Sequence, residues 1–289
     1  MILALAAVMM AASASANPGV LPLPGFAAPA PSEEFPPSAR ILGEVEDPLT
    51  ALTAEGEDLR DALISPPSPG WLMGGLRASN PADRLAAVNS AAVPRHVSAV
   101  PPLSAVLLRL DEKPEIRAAA ATALGRIGDA VSAPALGEAL NDPVPDVRYA
   151  AALALGRIPA DGAATRLSRA LRADTSWWVR YAAVLALGRT KKGFVVGALE
   201  ECLLREPKWQ VRMAAVRSLQ DVGGARAAGA VARALRDPDS GVRTAAAIAL
   251  GRIGDDSHRE HLSAALRAET DPSARSAQSA AFRRILAKP

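Results

Sequence analysis

Three histidines, His96, His258 and His261, and one cysteine, Cys202, are the side chains in this chain of 289 residues best suited to metal ligation or nucleophilic attack. His258, Glu260 and His261 could share one face of a helix, because residues three apart are neighbours there. A metal centre needs further converging ligands. Without further ligands the trio reads as a solvated surface helix. Cys202 sits between Glu200-Glu201 and Leu203-Leu204 and reads as a buried, inert thiol. A single cysteine excludes an internal disulfide framework and a multi-cysteine zinc site. No Ser-His-Asp set, phosphate loop or glycine-rich nucleotide motif is found. The expectation is therefore a protein without catalysis, metal or cofactor.

Chemistry is scarce, so what the elements present to a partner matters more. The chain is 49% hydrophobic and 3% aromatic, which excludes wholesale disorder and implies a core built from Ala, Leu, Val and Ile. Lys and Arg total 33 against 30 for Asp and Glu, a net charge too small to argue for a nucleic-acid partner. Its distribution says more. Residues 1–61 carry 2 basic and 9 acidic side chains, which leaves a basic excess of 10 over residues 62–289.

Residues 1–16 are uncharged and apolar and end in Ala14-Ser15-Ala16, the small-x-small form read by signal peptidase. At 16 residues the stretch is shorter than the ~20 needed to span a bilayer. The expectation is a secretory leader cleaved near Ala16 and a periplasmic or extracellular address, with no stable membrane span. Residues 17–40 hold Pro18, Pro22, Pro24, Pro29, Pro31, Pro36 and Pro37, a density that favours an extended linker. Residues 41–79 form an acidic, partly helical segment, with Leu49, Leu52, Leu59 and Leu63 spaced among carboxylates before Ser65-Pro66-Pro67.

Residues 80–289 repeat with a period of 31 to 32. The clearest copies are EIRAAAATALGRIGD from Glu115, DVRYAAALALGRI from Asp146, WVRYAAVLALGRT from Trp178 and GVRTAAAIALGRIGD from Gly241. QVRMAAVRSLQDVG from Gln210 and SARSAQSAAFRRI from Ser273 keep the register, and ADRLAAVNSAAVPRH from Ala82 is a looser, N-terminal unit. Counting the Val of Val-Arg as position 0, apolar residues fall at 0, 3, 4, 7, 8 and 11, one face of an α-helix. A second apolar segment follows each copy, with Asp-Pro or Glu-Pro at the turn. The prediction is an all-α superhelix of six to seven helical hairpins, preceded by a Pro-rich extended arm.

These motifs resemble the HEAT-repeat family, in particular its phycobilisome-lyase-like subtype, whose repeats read valine-arginine, an alanine pair, then leucine-glycine-arginine-isoleucine. The resemblance implies that the Val-Arg helix lines the concave side of a right-handed superhelix. It says little about activity, because such repeats serve many unrelated functions. Hydroxylases of the deoxyhypusine type within this group bind iron through His-Glu pairs, and no histidine here precedes a glutamate. Bilin lyases would need a phycobiliprotein client, which an exported protein would not meet.

Each arginine at position 1 follows an acid by six residues: Asp111 and Arg117, Asp142 and Arg148, Asp174 and Arg180, Glu206 and Arg212, Asp237 and Arg243, Glu269 and Arg275. An acid at a turn can accept amides at a helix start, and the arginine fork can bridge acids of its own and the adjacent repeat. A structural ladder is expected. Arg126, Arg157, Arg189 and Arg252 sit at helix ends, where a cation favours the exposed carbonyls.

Positions 2, 5, 6 and 9 form the remaining face, and they are largely apolar: Tyr149, Ala152, Leu153 and Gly156; Tyr181, Val184, Leu185 and Gly188; Thr244, Ala247, Ile248 and Gly251. An apolar stripe of this kind marks an interaction site. Leu153, Leu185 and Ile248 are its candidate groove residues. Tyr149, Trp177, Trp178, Tyr181, Trp209 and Met213 would line up as a candidate rim, of side-chain types that interfaces favour. Trp177 and Trp209 could equally fill gaps where other copies carry Pro114, Pro145 and Pro272. The function expected is an exported scaffold that binds a protein or peptide partner. An enzyme or enzyme-accessory role of the lyase- or hydroxylase-like class is the alternative, and nucleic-acid binding a second one. The acidic arm could itself contact the groove.

Overall fold

The computed structural model describes residues 69–92, 96–160 and 162–287. The leader, the Pro-rich linker and residues 41–68 lie outside the described residues. Seven helical hairpins follow one another: α1 (Pro69–Leu76) with α2 (Pro81–Ala91), α3 (Val100–Leu107) with α4 (Pro114–Ile127), and α5 (Ala133–Ala139) with α6 (Pro145–Leu155). Then come α7 (Ala163–Ala173) with α8 (Trp177–Arg189), α9 (Val196–Arg205) with α10 (Trp209–Val222), α11 (Gly224–Arg233) with α12 (Ser240–Ile253), and α13 (Arg259–Ala268) with α14 (Pro272–Leu286). No strand occurs among the described residues. The first described hairpin takes in α1, so the described part of the array starts at Pro69, ahead of the looser unit read from Ala82.

The second helix of each hairpin carries the Val-Arg motif, and its start is written in the sequence. Pro81, Pro114, Pro145 and Pro272 occupy first-turn positions, where the missing N–H costs no hydrogen bond. Asn80, Asp239 and Asp271 accept amides of the first turn through their side chains. Gly128 closes α4 at φ 75°, a left-handed conformation that disfavours a Cβ.

Around each Val-Arg helix the positions divide by neighbour. Positions 0, 4 and 8 face the first helices of the hairpins. There Leu124, Leu155, Leu187, Leu219 and Leu250 meet Leu136, Leu167, Leu199 and Leu262 in one buried core. Position 9 faces the next repeat and position 7 the preceding one. A Cβ added at Gly125 would stand 2.8 Å from the Cα of Ala154, and one at Gly156 2.7 Å from the Cα of Ala186. Gly188 approaches Ser218 and Gly251 approaches Ala281 in the same way. The Leu-Gly-Arg glycines are thus contact points between repeats, where helix backbones nearly touch.

This overturns part of the expected open groove. Positions 5 and 9 are covered by the neighbouring repeat: Ala152, Val184 and Ala247 have no exposed surface, and Gly188 and Gly251 are buried. Helices that are apolar nearly all round are so because they are flanked on both sides. Only the stripe at positions 2, 6 and 10 remains on the free side. The Val-Arg helices pack closely along their row, whereas the first helices of consecutive hairpins touch far less. A close-packed row beside a loose one bends the array, which puts the Val-Arg helices on the inside of the curve.

Candidate functional site

The ladder is built at the turn edge of the array. The position-1 arginines from Arg84 to Arg243 each fork onto the acid of the next repeat. Arg117 meets Asp142 at 2.9 Å through both Nε and Nη2, Arg180 meets Glu206 at 2.7 Å through both, and Arg212 meets Asp237 at 2.8 and 2.7 Å. Arg148 and Arg243 pair likewise with Asp174 and Glu269. The link to its own repeat runs through the backbone: Nη1 of Arg148, Arg180, Arg212 and Arg243 donates to the carbonyl of the acid six residues before. The acids in turn accept amides two residues on, as Asp142 does from Val144 and Asp237 from Asp239. The hydrogen bond that each guanidinium donates to its carboxylate raises the pKa of Arg148, Arg180, Arg212 and Arg243. That from Arg243 is the main cause holding Glu269 down to about 2.

Asp111 departs from the expected pattern. It is exposed, and the rung between α2 and α4 is Arg84 with Glu112, at 2.7 Å in two hydrogen bonds. Arg117 correspondingly takes the carbonyl of Glu112, five residues back. In this shorter turn the residue next to Lys113 is the one directed inward. Arg275, in the last described hairpin, donates to the carbonyl of Glu269, while Gln278 of α14 reaches the Glu269 carboxylate at 2.9 Å.

Positions 2, 6 and 10 form a stripe because they are spaced four apart on a helix. It reads Ala118, Thr122, Arg126 in α4; Tyr149, Leu153 and then Arg157 in α6; and Tyr181, Leu185, Arg189 in α8. It continues as Met213, Arg217, Asp221 in α10 and Thr244, Ile248, Arg252 in α12. Leu153, Tyr181, Met213 and Ile248 are half-buried, whereas Tyr149 and Leu185 are buried. Desolvation raises the Asp221 carboxyl above its ordinary value, and the charges of Lys191, Arg252 and Arg217 oppose that shift. The arginines expected only to complement helix ends therefore fall in one line with the apolar candidates.

Of the rim residues, Tyr149 is buried on α6 and the other five gather at the starts of α8 and α10. Trp177 is buried at 7% exposure, lies edge-on to Trp178 with centroids 6.1 Å apart, and has the Lys208 ammonium 6.0 Å from its ring centre. Trp178, Trp209, Tyr181 and Met213 are half-buried against the core. Elsewhere, Cys202 is buried, which pushes its thiol up to about 12. His258 is buried as well, not solvated: its Nδ1 lies 2.8 Å from Asp255, closing a capping box at the turn before α13. Its ring is 6.2 Å from that of His261. Among the described residues no three His, Cys, Asp or Glu side chains come together to hold a metal, and no helix is long and apolar enough to cross a membrane. A cleft of about 610 Å³ opens beside the ladder, with Glu138, Arg148, Arg166, Arg169 and Asp174 among its lining.

The model of HEAT repeats matches residues 70–147, 133–207 and 196–281, which together cover nearly all of the helical array. The chain belongs to the HEAT-repeat family. Solved structures similar to this HEAT-repeat protein include the complex of CpcE and CpcF of phycocyanin lyase from Nostoc, at 21% identity over 76% of this chain and 95% of that one, with a TM-score of 0.48. Human deoxyhypusine hydroxylase in complex with glycerol is 22% identical over 83% of this chain and 100% of that one, with a TM-score of 0.39. The YibA protein of Escherichia coli is 16% identical over 81% and 98%, with a TM-score of 0.47. No curated protein sequence matches the chain.

Proposed function

We propose that this HEAT-repeat protein is an exported, non-catalytic scaffold that binds a protein or peptide through the stripe on its Val-Arg helices and the aromatic edge beside it. The observation that carries the reading is the composition of that stripe. On the free side of these helices the stripe carries half-buried Tyr181 and Met213 at position 2 and half-buried Leu153 and Ile248 at position 6. Tyr, Trp and Met supply anchoring area at low entropic cost, and a row of arginines gives such a surface polar specificity. The ladder arginines contribute to this surface only indirectly, since their forks are occupied between repeats. Their work is to fix the spacing of the stripe. Export rests on the apolar stretch that ends at Ala16.

The test is capture from an envelope extract, comparing the mature protein with a Tyr181→Ala, Trp209→Ala, Ile248→Ala variant of unchanged helical content. A protein retained by the first and depleted at least about tenfold by the second, a loss of about 1.4 kcal/mol, is the expected result. Equal capture would assign these side chains to packing. Intact mass of the same preparation is expected to begin at Asn17, and a retained Met1 would remove the exported half of the proposal.

A further inference from the structure

We propose that residues 48–64 of this chain form a helix that seats on the N-terminal face of the described array, against α1 and α2, as one more member of the row of Val-Arg helices. The proposal goes beyond the binding of a partner at the stripe and does not depend on it, because the segment is assigned to the end of the array.

The two ends of the described array differ in kind. At the far end, α14 carries half-buried Ser279 at position 5 and exposed Arg283 at position 9, where α4, α6, α8 and α12 carry glycine. A charged side chain there admits no further backbone, and a polar outer face is what a terminal unit of a stacked array requires. The near end has a face of the interior kind. Position 7, which meets the preceding repeat, is buried in every hairpin from Ala123 of α4 to Ala281 of α14. In α2 the same position is Ser90, only half-buried, and Ala86 at position 3 is exposed, with Asp83 and Asn89 at the borders of the patch. Ser218 shows the use of a serine at position 7, since it receives the close approach of Gly188. Beside α2, helix α1 has no charged side chain, and Trp71, Met73 and Gly74 are exposed on one side of it.

The segment just ahead of α1 has the matching face. Leu49, Leu52, Leu59 and Leu63 follow one another in steps of three and four except for one gap, and Gly56 stands in that gap. Residues so spaced lie in one line on a helix. Glu57, Asp58 and Asp61 fall on its other side. Asp47-Pro48 supplies a start of the form that opens α14, where Asp271 caps and Pro272 begins the helix. A glycine within a helix forfeits propensity, and in this protein it recurs where one helix backbone meets the next. A line of leucines with one glycine at its centre therefore suits a face built of Ala86, Ser90 and Met73. The tether fixes the place. Residues 65–68 reach about 14 Å when extended, and packed helices lie about 8 to 10 Å apart. A helix ending at Ile64 thus arrives beside α1 and α2, whereas the stripe on α12, five helix spacings on, lies about 50 Å away. The order is the one already present in the array, where residues 128–132 alone join α4 to α5.

The experiment is hydrogen exchange with mass spectrometry on the full-length chain. A helix of this length without tertiary contacts is marginal in water, so amide protection tells the seated form from the free one. Residues 52–63 are expected to exchange at least about tenfold more slowly in the parent than in the Leu52→Asp, Leu59→Asp variant. Protection of α2 should fall in that variant, while unchanged protection from α4 to α14 shows that the array is intact. Ala86→Glu probes the opposite side of the contact. Ala86 is exposed, so a glutamate there is tolerated unless another helix covers it, and the variant should release residues 52–63 to the same extent. Sedimentation velocity at low and high concentration should show a monomer throughout. Unprotected residues 52–63 in the parent, protection that survives Ala86→Glu, or protection that appears only with a dimer would each overturn the proposal, the last by giving this face to a second copy.

Discussion

A carboxylate three residues before a helix start does two jobs in this protein, accepting the amide of the residue that caps the helix and receiving the arginine of the preceding repeat. Removing one partner leaves the other charge buried and unpaired. Asp237→Ala should therefore lower stability by about 3 kcal/mol or more, read from the denaturant midpoint, because Arg212 and Asp237 are both nearly enclosed. Glu112→Ala should shift that midpoint and Asp111→Ala should leave it unchanged, since Glu112 alone meets Arg84. The same rungs set an acid limit. Glu269 is held at about 2 against an ordinary 4.5, so the unfolded chain takes up its proton first as pH falls. The stabilisation is complete above about pH 5 and is lost on the way down to about pH 2. Glu269→Gln should be less stable than the parent at pH 7 and equal to it near pH 2, as circular dichroism melts at a series of pH values would show. The acid-arginine pattern was legible in the sequence because it recurs. The shift from Asp111 to Glu112 was not, because spacing alone does not reveal how a turn one residue shorter directs its side chains.

At the scale of the helix, the glycine of Leu-Gly-Arg shows how one residue type has opposite effects in different contexts. In an exposed helix Gly→Ala gains about 1 kcal/mol of propensity. Gly229 of α11 has open space around it, and Gly229→Ala should be stabilising by about that amount. At Gly156 the new Cβ would lie 2.7 Å from backbone and side chain of Ala186, so Gly156→Ala should be destabilising by about 1–3 kcal/mol, the range for overpacking. Differential scanning calorimetry of the two variants gives both signs in one experiment. Periodicity identified these helices and their core face, since a period of 3.6 is visible in one sequence. It did not tell the groove face from the inter-repeat face. Alanine, glycine and valine suit a partner's surface and a neighbouring helix equally well, and the sequence records only that positions 5 and 9 are small and apolar. The recurring glycine was the available signal, because close backbone approach is a specific use of that residue.

For the whole molecule, stability follows from a row in which each hairpin touches only its neighbours. Such arrays behave as a sum of unit terms and interface terms, so where a perturbation falls matters as much as its size. The interface between α6 and α8 combines a Gly156 contact with Ala186 and a rung from Arg148 to Asp174. Gly156→Val presses a branched side chain into the first and so strains the second, weakening one interface while leaving the units on either side intact. The expected outcome is a split of one unfolding transition into two, with residues 69–158 and 163–287 exchanging amide hydrogens at separate denaturant concentrations. Leu155→Ala, which hollows the core of a single hairpin instead, should cost about 2–5 kcal/mol. It should lower the transition without dividing it, since the contacts between hairpins remain. Hydrogen exchange with mass spectrometry separates the two cases. A single transition in the Gly156→Val protein would mean that cooperativity is carried by the leucine core running beneath the helices rather than by the glycine contacts and rungs between them.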